Sequence, residues 1–115
     1  MRVGPLFLFS MKKVAILCQT GPGGKRRLAE EALRLAAGLT ATGRIRLDLI
    51  LTRSAIALLD PEMGGPIGTW ESMISPHTRV LISAGALTST PAFVTVLPEK
   101  EIEKISASAD LVIGF

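Results

Sequence analysis

Cys18 is the only thiol in the chain, and it stands directly before a glycine-rich turn, Gln19–Arg27 (QTGPGGKRR). Two kinds of chemistry fit that placement. The first is nucleophilic or sulfur-carrying chemistry: a thiol becomes reactive when a helix N-terminus or nearby cations lower its pKa, and Lys25, Arg26 and Arg27 follow closely. Cys18 is the one side chain here on which a persulfide could form. The second is anion binding. Gly21, Gly23 and Gly24 would free backbone N–H groups at a helix start to face an anion, with Lys25 and Arg26 beside them. Cations are locally unfavourable at the positive end of a helix dipole, and a bound anion would offset that cost. A plain structural reading competes with both. Free cysteine is among the most buried residue types, Cys18 shares strand parity with Val14 and Ile16, and the glycines suit a tight strand-to-helix turn.

Known phosphate-binding patterns fail in this turn. A Walker A loop needs a glycine at a fixed offset before the Gly-Lys pair and a hydroxyl after the lysine, but Gln19 and Arg26 stand there. The dinucleotide pattern needs a third glycine where Arg26 stands. Hydroxyls in the turn and aromatic walls, which a flavin would want, are scarce. His77 is the sole histidine and has no cysteine or carboxylate at ligand spacing, so it reads as a surface residue and no metal site is expected. No G-x-S-x-G elbow occurs among the serines. No cofactor is expected.

The elements that must position these residues follow from hydrophobic period. Lys13–Cys18 is a short, nearly continuous apolar run, as in a strand buried on both faces. From Gly24 to Thr40 the pattern turns helical, with Leu28, Ala32, Leu35, Ala36 and Leu39 along one stripe and Gly43 as a stop. Arg44–Thr52 alternates as a second strand, with Arg46 and Asp48 putting one face of its early half in water. Arg53–Leu59 reads as one or two helical turns ended by Asp60-Pro61, followed by a flexible Met63–Gly68 and a short Thr69-capped helix to Ser75. Trp70 is either a core anchor or an interface residue. Arg79–Ala84 is a third strand and Phe93–Val96 a short fourth. Pro98 is placed as the first residue of a helix with Ile102 and Ile105 inward and Glu99, Lys100, Glu101, Glu103 and Lys104 solvated. Asp110–Phe115 is a buried final strand. The alternation predicts an α/β fold: a single-domain, flavodoxin-like open parallel sheet of about five strands with helices on both faces.

Composition narrows the function classes. The 115 residues and 48% hydrophobic content fit one compact domain. A net charge of +3, one short basic triplet and few aromatics lack the basic stripe with stacking rings of a nucleic-acid binder. No run reaches the ~20 apolar residues of a membrane span. One cysteine excludes an internal disulfide, and its context lacks a lipoprotein signal. The expected setting is the cytoplasm. Residues 1–11 read as an N-terminal extension or alternative start, with Met11 as the natural beginning, and 12–115 as the domain.

KKVAILCQTGPGGKRRLAEEALRLAAGL resembles the opening of the DsrE/DsrF/TusCD-like sulfur-relay family: a strand, a Ser/Thr-Gly-Pro turn, a charged pair and an Ala/Leu-rich helix. LDLILTRSAIALLD, RVLISAG and ASADLVIGF resemble its second, third and closing strands with their flanks. The resemblance implies a five-stranded α/β subunit that assembles into dimers, trimers or hexamers, alone or with related sulfur-relay subunits. It also implies a persulfide-carrying cysteine after the third strand. This chain has Ser83-Ala84-Gly85 there, so that role transfers to no residue. The family includes companion subunits without the cysteine, and the departure implies a non-catalytic companion. The alternatives are a small anion- or nucleotide-binding domain using Gly21–Arg27, and a thiol enzyme or sulfur carrier using Cys18.

Overall fold

The structure is a computed structural model describing residues 11–60, 70, 73, 75–87 and 89–115. The expected extension at 1–11, except Met11, the loop 63–68 and the Thr69 cap lie outside the described residues. In order come β1 (Lys12–Cys18), α1 (Leu28–Thr42), β2 (Ile45–Leu51), a 3₁₀ helix (Arg53–Leu59), β3 (Thr78–Ser83), β4 (Val94–Leu97), α2 (Glu99–Ser108) and β5 (Leu111–Gly114). The five strands form one sheet in the order β4-β3-β2-β1-β5, every pair parallel. The α/β open parallel sheet with helices on both faces is therefore as expected.

Topology decides how the faces are covered. The connections β1→β2, β2→β3 and β3→β4 step in one direction across the sheet, and β4→β5 alone steps back. Right-handed crossovers must then put three connections on one face and one on the other. Accordingly α1, the 3₁₀ helix, Trp70 and Phe93 pack with Val14, Ile16, Leu49, Leu51 and Ile82 in the larger core. On the opposite face α2 is the one helix among the described residues, with Ile102 over Ala15, Ile50 and Leu81. Fully buried Leu and Ile side chains contribute about 1.5–3 kcal/mol each, so the α1 face supplies most of the stabilisation. Trp70 belongs to this core and stacks on Phe93 with centroids 5.2 Å apart.

Several local expectations need correction. The first helix begins at Leu28, not Gly24, because Arg27 takes a left-handed conformation (φ 50°) and interrupts the helix there. Its buried stripe is Ala29, Ala32, Leu33, Ala36 and Thr40, while Leu28, Leu35 and Leu39 are half-buried at its margins. Small residues let the helix lie close to the sheet; the leucines seal the rim. Pro98 has ψ 147° and caps α2 rather than opening it, its carbonyl accepting from Glu101 and Ile102 N–H. The last strand is not buried: β5 pairs only with β1, and Leu111 and Val112 are 53% and 45% exposed. Gly43 ends α1 at φ 68°, as expected. Among the described residues no helix is long and apolar enough to cross a membrane.

Candidate functional site

The strand order reverses between β1 and β5, and in open α/β sheets ligands collect beyond the strand C-termini at such a point. The backbone here is tightly tied. Gln19 N–H donates to Phe115 O at 3.0 Å, Phe115 N–H to Leu17 O at 2.8 Å, and Thr52 N–H to Cys18 O at 3.0 Å. Gly21 passes against the 3₁₀ helix, where a Cβ would lie 3.1 Å from Ser54 O. Only glycine fits that approach without a shift. Arg27 and Arg53, on the segments after β1 and β2, both hold φ near 50°, a region non-glycine residues seldom adopt.

Cys18 ends β1 with its side chain on the α1 face, wholly buried. Its Sγ lies 3.6 Å from Thr20 O, the thiol donating. Burial pushes the thiol's pKa above its ordinary value, opposite to what a nucleophile needs. Lys25 and Arg26, expected in the first helical turn, precede the helix and project into solvent.

The glycine turn is engaged by the chain's own carboxylate. Gly23 N–H donates to Glu30 Oε2 at 3.2 Å, and Arg27 Nε donates to the same oxygen at 3.3 Å. α1 has no side-chain cap, and Glu30 in its first turn reaches back in place of one. Partial burial raises the Glu30 pKa. Hydrogen bonds from its own backbone, Gly23 and Arg27 outweigh that and hold it below the ordinary value. Gly23 and Gly24 both have φ +83°, the left-handed region glycine favours.

The position after β3 is also part of this edge. Ser83, Gln19 and Thr52, with Glu99 and Glu103 of α2, rim a hollow of about 480 Å³ floored by Leu17 and Ile50. Ala86 N–H closes a turn onto Ser83 O at 3.2 Å, and Gly85 takes φ +86°. The sequence does not reveal this hollow, because its polar groups come from four separate segments and form no local motif. His77 lies at the opposite, N-terminal edge, half-buried in a groove with Lys13, Arg46 and Arg79. Among the described residues no group of three or more His, Cys, Asp or Glu could hold a metal.

Compared by sequence, the chain matches no family model and no curated protein. Compared by structure, it is similar to the YchN protein of E. coli, with a TM-score of 0.68 and 20% identity over 91% of this chain and 100% of that one. At that identity the likeness establishes a shared fold: this chain has the α/β architecture of YchN over nearly its whole length.

Proposed function

We propose that this chain is a companion subunit of a DsrE-like sulfur-relay assembly, acting through protein contacts and carrying no persulfide of its own. The observation that carries the reading is the location of its thiol. Cys18 is the only cysteine, and it is buried on the α1 face of the sheet. At the open edge, the end of β3 and the turn that follows present Ser83, Ala84 and Gly85. A serine hydroxyl forms no persulfide, so sulfur arriving at this edge must be held by another chain. The fold likeness to YchN supports the α/β architecture that the reading requires. The residue-level resemblance of the strand-turn-helix opening supports the rest.

Assembly suits the uneven coverage of the sheet. Val112 is exposed on the face that α2 covers, and Leu111 and Val96 are exposed on the other. The reading places the chain in the cytoplasm, where a lone unpaired thiol is unremarkable, in a dimer, trimer or hexamer that includes related subunits. Anion binding by Gly21, Gly23, Gly24, Lys25 and Arg26 is the competing reading. It is weakened because an incoming anion would have to displace Glu30 from Gly23 N–H.

Native co-purification tests the proposal. Tagged protein isolated from its own cell should bring down, in fixed stoichiometry, a small α/β chain bearing a cysteine after its third strand. Isolation as a single chain, or with partners that lack such a cysteine, would overturn it.

A further inference from the structure

We propose that the groove at the N-terminal edge of the sheet, under the C-terminal end of α2, binds a small phosphate-type dianion. The groove holds about 280 Å³, below the usual range for drug-sized ligands and suited to one compact group. It lies at the opposite end of the strands from Cys18 and the glycine turn, and it is independent of the companion-subunit reading.

Strand register builds the site. Lys13 of β1 is the direct partner of Arg46 of β2. Leu47 pairs with Thr78 and donates its N–H to His77 O at 2.9 Å, which sets His77 beside Arg46 in the same cross-strand row. Lys13 and Arg46 have the strand parity of Ala15 and Ile50, so all three residues of this basic row stand on the α2 face. One step along the strands, Arg79 donates to Asp48 at 2.7 Å. Among the described residues Asp48 is the only carboxylate lining the groove, where Arg79 engages it, and beside the groove the Asp110 carboxylate accepts from the Lys13 backbone N–H at 2.8 Å. Among the described residues the Lys13 and Arg46 side chains have no ion-pair partner.

Like charges directly opposite on neighbouring strands disfavour the pairing. Here both cations are exposed and line one groove with Ile105, Ser108 and Ala109, to which α2 contributes no acidic residue among the described ones. The negative pole of α2 points toward this end, but it amounts to roughly half an elementary charge. Lys13, Arg46 and Arg79 against the Asp48 and Asp110 carboxylates still leave a net positive charge larger than that pole. A dianion supplies what is missing. The Arg46 guanidinium offers a fork that matches phosphate oxygens, the Lys13 ammonium a point charge, and the His77 ring a further N–H.

Titration calorimetry of the full chain with inorganic phosphate at low ionic strength tests this, with sodium chloride at matched ionic strength as reference. The expected result is saturable binding at one site per chain. The double variant K13Q/R46Q should weaken it about tenfold or more, as loss of charge-assisted contacts requires. The variant K13R/R46K should retain it, and so should K25Q/R26Q in the glycine turn. Circular dichroism and a melting curve establish that each variant is folded. Heat matched by sodium chloride, equal affinity in K13Q/R46Q, or loss in K25Q/R26Q would overturn the proposal. So would binding to vesicles of anionic phospholipid without binding to phosphate, since the groove would then serve a membrane surface.

Discussion

The Cys18 side chain leaves β1 among Ile16, Leu51 and Ala29, so a thiolate there would form without water around it. Folding therefore favours the protonated thiol, and the sign of the pH effect follows. The contribution to stability is fully present below the unfolded thiol's pKa, near 9.0, and is lost as pH rises through it toward the raised folded value. Denaturant melts from pH 8 upward should show wild type losing stability more steeply than Cys18→Ala. Parallel slopes would contradict the buried thiol. Glu30 works in the opposite sense. Its lowered pKa means that its bonds to Gly23 and Arg27 stabilise above the ordinary carboxylate value of 4.5 and are lost on acidification. The Arg27 side of the pair is exposed and salt-screened, and Glu30 is only partly buried, so Glu30→Gln should cost about 1 kcal/mol near neutrality. The difference should shrink only as pH falls below 4.5 and through the lowered folded value. The buried Cys18 was readable from strand parity, but the Glu30 role was not: Glu30 looked like a wet helix residue, and it stands seven positions from the N–H it accepts.

Among the elements, α1 shows best what the sequence made legible and what it hid. Its existence, its amphipathic character and its stop at Gly43 follow from period and glycine placement. Its start does not, because no Ser, Thr, Asp or Asn caps it, and an arginine in a left-handed conformation has no sequence signature. The stripe was misjudged by the same physics: leucines look like the buried face, but alanines are what a close helix–sheet contact needs. At the far end of α1, Thr40 is buried, donates to Ala36 O at 2.8 Å and lies 3.0 Å from Thr78 Oγ1 at the start of β3. Thr40→Val keeps the shape and leaves Thr78 without that partner, so it should cost about 1 kcal/mol in denaturant unfolding. No measurable loss would mean that the link does not tie α1 to β3. Leu-Val-Ile reads alike at a sheet centre and at an edge, so the sequence predicts burial for β5. Only the strand order places it outside.

At the scale of the whole molecule, the alternation of strands and helices was enough to read the fold class, since short apolar runs separated by helical segments leave few arrangements. The consequence of that topology, one crossover helix on one sheet face among the described residues, follows only from the order β4-β3-β2-β1-β5. Exposed Val112 on that face is an expected contact with a neighbouring subunit. Val112→Asp should shift the light-scattering mass toward a single chain while changing stability by no more than about 0.5 kcal/mol, as for other exposed positions. An unchanged assembly would remove β5 from the interface. The site was less legible than the fold. The glycine turn was visible as a motif, whereas the hollow around Ser83 and the row from Lys13 to His77 exist only through the pairing of distant strands. The central claim is that the chain holds no sulfur of its own, and intact-mass spectrometry after exposure to inorganic polysulfide tests it most directly. The native protein should keep its mass, and the unfolded protein should gain sulfur at Cys18. Sulfur added to Cys18 of the native protein would contradict the account.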